Sequence, residues 1–213
     1  MHLTREDLKK MHRVRRLNLI NGISGIKPAN LIGTKSKSGI PNVSIFSSIV
    51  HIGSDPGLIG FITRQSGDVV RNTYNNICQT GHYTINHIHE SFIENAHYTS
   101  AKFDAEVSEF EQCYLTEEYL YKFPAPFVGE SKLKFGLKLV EEVNIKSNGT
   151  KMIIGQVQEI ILPENCLDDK GYLRLDKLSD VGIGGLSSYY NLRRIKSFPV
   201  AKVGELPEFG GER

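Results

Sequence analysis

The chain has 213 residues, of which 39% are hydrophobic and 23% charged, and a formal net charge of +2. This is the composition of an ordinary soluble protein with one real core, or at most two small ones. It excludes a membrane span, since no apolar run approaches the ~18 residues required, and the charge is too small to argue for nucleic acid. The N-terminus "MHLTREDLKK" is charged where the apolar stretch of a secretory leader would follow. Cys78, Cys113 and Cys166 are odd in number and far apart. They form neither a disulfide framework nor a metal pair, so a cytoplasmic location is expected.

Taken in chain order, Thr4 can cap a helix through about Arg16, with Asp7 three residues on. The basic run "KKMHRVRR" (Lys9 to Arg16) falls on it. An anion or nucleic-acid footprint is one reading and a solvated helix face the more ordinary one. Leu31 and Ile32 end a first strand, "KSKSGIPN" is a polar turn, and "VSIFSSIV" reads as a second strand. "GSDPG" turns the chain and "LIGFIT" is a third strand. "RNTYNNICQTG" is a short helix, with Asn72 as N-cap, Tyr74, Ile77 and Cys78 on one face, and Gly81 ending it in a left-handed conformation. "HYTINHI" follows as a strand with Tyr83 and Ile85 on one side. "SFIE" (Ser91 to Glu94) has the form of a capping box and opens another helix. Tyr114 to Glu130, with Pro124 and Pro126, looks irregular. Lys132–Ile145 and Lys151–Leu162 form a hairpin, with Asn148-Gly149 as a type I′ turn signal. "GIGGLSSYY" closes the patterned part. Strands set between turn signals, with a few short helices inserted, predict a small β-barrel. "GISG" and "GIGG" lack the G-x-G-x-x-G spacing, so a dinucleotide-binding βαβ domain is not expected.

Three features bear on chemistry. His87 and His89 alternate on a strand and so point the same way, with His97 not far on. No Cys or carboxylate completes a metal site at a recognisable spacing, and imidazoles bonded to backbone or water are the ordinary alternative. In "TRQSGDVVRNT", Arg64 ends a strand, and Arg71-Asn72-Thr73 precede or open a helix. A helix N-terminus offers unpaired N–H groups and partial positive charge, Arg a forked cation and Thr a hydroxyl, a set that suits phosphate. Last, Ser44, Ser47 and Ser48 interrupt the apolar "VSIFSSIV". Small hydroxyls there could let a flat heteroaromatic ligand approach the backbone. A solvent-facing half-strand does not account for Ser47 and Ser48 together, because alternation exposes only one of them. No nucleophile elbow, Walker A loop or zinc ribbon is present.

These blocks carry a resemblance. "KPANLIGTKSKSGIPNVSIFSSIVHIGSDPGLIGF", "RNTYNNICQTGHYTINHI", "TSAKF" and "GTKMIIGQVQEI" together resemble the flavin-reductase-like family of FMN-binding split barrels, over about residues 17–195. The division implied is an N-terminal helix (1–16), the split-barrel domain (17–195) and a C-terminal tail (196–213). The resemblance implies a mainly β, antiparallel, Greek-key-like split barrel with a few short helices. It also implies a homodimer with FMN near the subunit interface. Ser47, Ser48 and Ile49 would then border the flavin ring, with Asn42 at the start of the same strand. Ile62, Thr63 and Arg64, with Arg71, Asn72 and Thr73, would hold the ribityl phosphate. Gly57 departs from the family's frequent Asp-Pro-Pro turn, and Arg-Asn-Thr stands where Lys-Asp-Thr is usual, with charge and hydroxyl kept.

The activity implied is NAD(P)H-dependent flavin reduction, in which the cofactor carries the redox chemistry and the protein supplies position and exclusion of water. Electrons would pass on to oxygen, to a second flavin or to a partner monooxygenase. Hydride transfer needs no side-chain acid or base, so neither a catalytic residue nor a metal is expected. Two other classes stay open. One is a non-catalytic flavin-binding electron carrier of the same fold. The other is a nucleic-acid-binding barrel using "KKMHRVRR", which calls for aromatic residues interleaved with basic ones that the strands do not show.

Overall fold

The computed structural model describes residues 1–64 and 72–205. Two short helices, α1 (Arg5–Lys10) and α2 (Arg13–Gly22), open the chain. Thr4 caps α1 in a capping box: its hydroxyl accepts the Asp7 N–H at 3.3 Å, and the Asp7 carboxylate accepts the Thr4 N–H at 2.8 Å. The helix expected to reach Arg16 instead stops at Lys10, where Met11 turns to extended backbone. Arg16 reaches back and donates to the carbonyls of Leu8, Lys9 and Met11, which the break leaves without helical partners. The basic run is thus divided between two helices, and one of its arginines serves the backbone of the first.

The strands are β1 (Lys27–Pro28), β2 (Asn30–Lys35), β3 (Pro41–Phe46), β4 (Val50–Ser54), β5 (Gly57–Thr63), β6 (His82–His87), β7 (Glu117–Glu118), β8 (Phe127–Val128), β9 (Lys134–Ile145), β10 (Thr150–Ile161), β11 (Val181–Gly184) and β12 (Ser188–Asn191). Helices α3 (Asn72–Thr80), α4 (Ile93–Tyr98) and α5 (Glu109–Gln112) are inserted among them. A seven-stranded sheet runs β3-β2-β6-β9-β10-β5-β4, every pairing in it antiparallel. β1, β11 and β12 form a small second sheet. No helix among the described residues is long and apolar enough to cross a membrane.

β2 is buried on both faces, and this divides the core in two. Leu31 joins Val43, Ile88, Phe92, Phe110 and Val128 beneath the inserted helices. Ile32 points into the barrel with Phe61, Ile77, Tyr83, Ile85, Leu137 and Ile153. Tyr83 and Ile85 share that interior face, as the alternation of β6 requires. Gly155 on β10 makes room for the Tyr83 ring, since a Cβ there would lie 2.2 Å from its hydroxyl oxygen. At the end of α3, Gly81 has φ +72° and donates its N–H to the Ile77 carbonyl at 2.8 Å, the left-handed stop foreseen from the sequence.

Three local expectations are corrected. "VSIFSSIV" is not one strand: β3 ends at Phe46 and β4 begins at Val50. The β9–β10 hairpin turns through four residues, 146–149, since Ile145 pairs with Thr150. Only Gly149 of them has positive φ, whereas a type I′ turn needs it at both central positions. Ser91 does not cap α4. His89 lies in extended backbone and its Nδ1 accepts the Ser91 N–H at 3.1 Å, so Ser91 already belongs to the 3₁₀ turn Glu90–Phe92 that leads into the helix. The segment from Tyr114 to Glu130 is largely irregular, with one two-residue ladder between β7 and β8. It is tied to the barrel by Thr84, whose hydroxyl donates to the Pro126 carbonyl at 2.6 Å, and by Asn86, whose Oδ1 accepts the Val128 N–H at 2.9 Å.

Candidate functional site

β3 and β4 stand at opposite ends of the sheet order, yet only Ser47, Ser48 and Ile49 separate them in sequence. These three residues therefore bridge the seam of the barrel. Ser47 is a bend and Ser48 lies in the irregular link that follows, where the alternation of a strand does not apply, and this is why neighbouring positions can both be small and polar. Ser48 has a structural task as well. Its hydroxyl donates to the Ile62 carbonyl and accepts the Ile62 N–H, each at 3.0 Å. The β4–β5 ladder ends at Val50 opposite Gly60. Ile62 lies two residues further out on β5, and one hydroxyl serves as both donor and acceptor for it.

A cleft of about 910 Å³ opens at this seam. One wall is Asn42, Ser44, Ser47 and Ser48, continued by Ile62, Thr63 and Arg64 at the end of β5 and by Asn72 and Thr73 in the first turn of α3. The cleft is completed by residues 99–105, Glu109, and Ile183 and Leu186 of the β11–β12 hairpin. Eight of the ten residues singled out from the sequence thus line one cavity. Ile49 does not line it. Its side chain packs against the barrel cluster of Ile32 and Phe61, because the chain at the end of the link has already turned toward β4. Arg71 lies outside the described residues. Ser44, which the sequence left without a role, lines the cleft.

Asn42 is the centre of a buried network. Its Oδ1 accepts the hydroxyls of Thr34 at 3.1 Å and Thr73 at 3.0 Å. Its Nδ2 donates to Glu109 Oε2 at 2.6 Å, which also accepts the Val43 N–H at 3.4 Å. Asn76 Nδ2 donates to Thr34 Oγ1 at 3.1 Å. Asn42 therefore ties β2, β3, α3 and α5 together beneath the cleft and has little hydrogen-bonding capacity left for a ligand. Burial pushes the Glu109 carboxyl up from the usual carboxylate range, against the bonds from its own N–H, from Val43 and from Asn42. Glu109, Lys102 and Asp104 were not legible as site residues. "SEFE" reads as an acidic surface turn, and its burial comes from contact with β3, 66 residues away in sequence.

The histidines are engaged elsewhere. His87 Nδ1 lies 2.9 Å from Asp180 Oδ2, and His89 has Ser91 and Lys132 as partners. Among the described residues lining the cleft there is neither histidine nor cysteine. The donor set is instead hydroxyls, main-chain groups, an arginine, a lysine and a helix start. This suits binding of an anionic ligand with a polar flat edge, and the volume lies in the range of ligand clefts.

The antiparallel split barrel, together with its match to a known family, places the chain among flavin-related oxidoreductases. The chain belongs to the flavin reductase like domain family, whose model matches residues 26–177. It is 42% identical to a split-barrel protein from Shewanella frigidimarina NCIMB 400, a candidate flavin reductase. The two superpose with a TM-score of 0.88 over 94% of this chain and 100% of that one. Nitrilotriacetate monooxygenase component B from Bacillus cereus shares the fold, with a TM-score of 0.80 at 17% identity, over 93% of this chain and 98% of that one. An uncharacterised protein of Aquifex aeolicus is 27% identical over 187 residues, 87% of this chain and 91% of its own length.

Proposed function

We propose that the protein is an FMN-binding, NAD(P)H-dependent flavin reductase acting as a homodimer. The observation that carries this reading is the convergence of the Ser47–Ser48 link, the Thr63–Arg64 strand end and the Asn72–Thr73 helix start on one cleft. Residues 17–195 supply this unit, with residues 1–16 and 196–213 outside it. The link offers hydroxyl and main-chain groups to the polar edge of a flavin ring. Arg64, Asn72 and Thr73, with Arg71, hold the phosphate by charge and by the helix N-terminus. Ile183 and Leu186 add apolar surface that excludes water. Bound flavin supplies the hydride-accepting chemistry, and the chain's part is to position it and leave room for a nicotinamide. The similarity to a monooxygenase component supports a partner monooxygenase as one electron acceptor.

The test is a visible spectrum of the purified protein with and without added FMN, followed by NADH and NADPH. The protein is expected to be yellow, or to become so with FMN, and to accelerate nicotinamide oxidation only when flavin is present. A colourless protein that leaves FMN fluorescence unchanged overturns the reading. FMN binding without nicotinamide turnover reassigns it as an electron carrier.

A further inference from the structure

Glu109 lines the cleft, and the reading above gives it no task. It is 5% exposed. Its bond to Asn42, and the bond from Thr73 to Asn42, make a continuous path from this carboxyl to the first turn of α3. That turn is the end of the cleft assigned to the phosphate. Among the described residues no cation lies within ion-pair distance of Glu109. β3 brings amide and apolar groups to it, α3 brings Thr73 and Asn76 to the same network, and the end of its own helix brings the Cys113 thiol. Among the described residues, the charged side chains on the rest of the cleft wall are Arg64, Lys102 and Asp104, and Glu111 lies on the same helix. An ionised Glu109 would place a poorly solvated negative charge beside a cavity that has to accept a second one. Repulsion between like charges is much stronger there than in water, and protonation of the carboxyl relieves it.

We propose that Glu109 is the positioning residue of this end of the cleft, an anion while the cleft is empty and a neutral acid holding Asn42 and Thr73 once it is filled, so that binding of a phosphate monoester dianion draws one proton from solvent onto this carboxyl. The ligand class rests on the flavin reading; the proton linkage is additional to it. Glu109→Gln keeps a carbonyl oxygen to accept the bond from Asn42 and has no charge to titrate, so it isolates the proton from the hydrogen bond.

The experiment is calorimetric titration of FMN and of riboflavin into wild type and E109Q, in buffers of different ionisation heat. It is run between about pH 7 and 9, where the phosphate is already doubly charged. Wild type is expected to take up a proton with FMN and not with riboflavin, and E109Q with neither. The FMN affinity of wild type should fall relative to E109Q by up to about tenfold per pH unit as the carboxyl ionises. FMN binding by wild type without proton uptake, or with the same uptake in E109Q, overturns the proposal and leaves the flavin reading intact. No binding of either flavin by wild type overturns the flavin reading itself, and this proposal with it.

Discussion

Removing the Ser48 hydroxyl leaves the N–H and C=O of Ile62 without their partner at the seam, since β10 pairs with Ile62 from the other side and the β4 ladder does not reach it. Ser48→Ala should therefore cost about 1–3 kcal/mol, read from urea denaturation, the range for stranding partly buried backbone groups. Arg64 is exposed at the rim of the cleft, so its contribution belongs to the ligand and not to the fold. Arg64→Ala should weaken FMN roughly tenfold to a hundredfold while leaving riboflavin nearly unchanged, as fits loss of a charge-assisted phosphate bond. Equal losses for both flavins in fluorescence titrations would remove Arg64 from the phosphate site. Glu109 sets a pH dependence of stability. Its folded-state carboxyl is raised by burial, so the unfolded chain releases the proton first as pH rises. The stability held by the neutral acid is complete below the ordinary carboxylate range and declines until the raised value is passed. Thermal melts of ligand-free E109Q should show a flatter pH profile than wild type across that interval.

The elements legible in the sequence are those whose signal is local. The β9–β10 hairpin announced itself by two apolar runs about a Gly-containing turn, β6 by Tyr83 and Ile85, and the end of α3 by Gly81. Elements fixed by distant contacts were not legible. The break between β3 and β4 arises because the chain must cross from one end of the sheet to the other; the adjacent Ser47 and Ser48 record only that alternation fails there, not where the chain goes. The burial of α5 against β3 is of the same kind. So is the docking of the 114–130 excursion, which depends on Asn86. This fully buried side chain donates to the Leu31 carbonyl at 3.2 Å and to Thr84 Oγ1 at 2.8 Å, and accepts from Val128 N–H. Asn86→Ala should cost about 2–4 kcal/mol, since it strands several buried groups at once. Limited proteolysis should then cut the excursion faster than in wild type. An unchanged cleavage rate would show that apolar packing alone holds that segment.

At the scale of the whole molecule, the cleft lies between parts of the chain that come together only in the finished barrel, so ligand and fold should be thermodynamically coupled. FMN at a hundredfold excess over its dissociation constant should add about 2.7 kcal/mol, a rise in melting temperature of roughly 5–10 °C for a chain of this size. A melting temperature indifferent to FMN would count against a specific site. The seam also has a consequence for how the chain can be divided. No ladder joins β3 to β4. Every strand pairing of the barrel therefore survives if the backbone is cut once between Phe46 and Val50. The first piece stays attached through the hydrogen bonds of β2 to β6, and the second keeps the rest of the sheet. Two separately expressed fragments divided there should reassemble into a folded complex, yet take up flavin poorly, because the covalent link they lack is also the wall of the cleft.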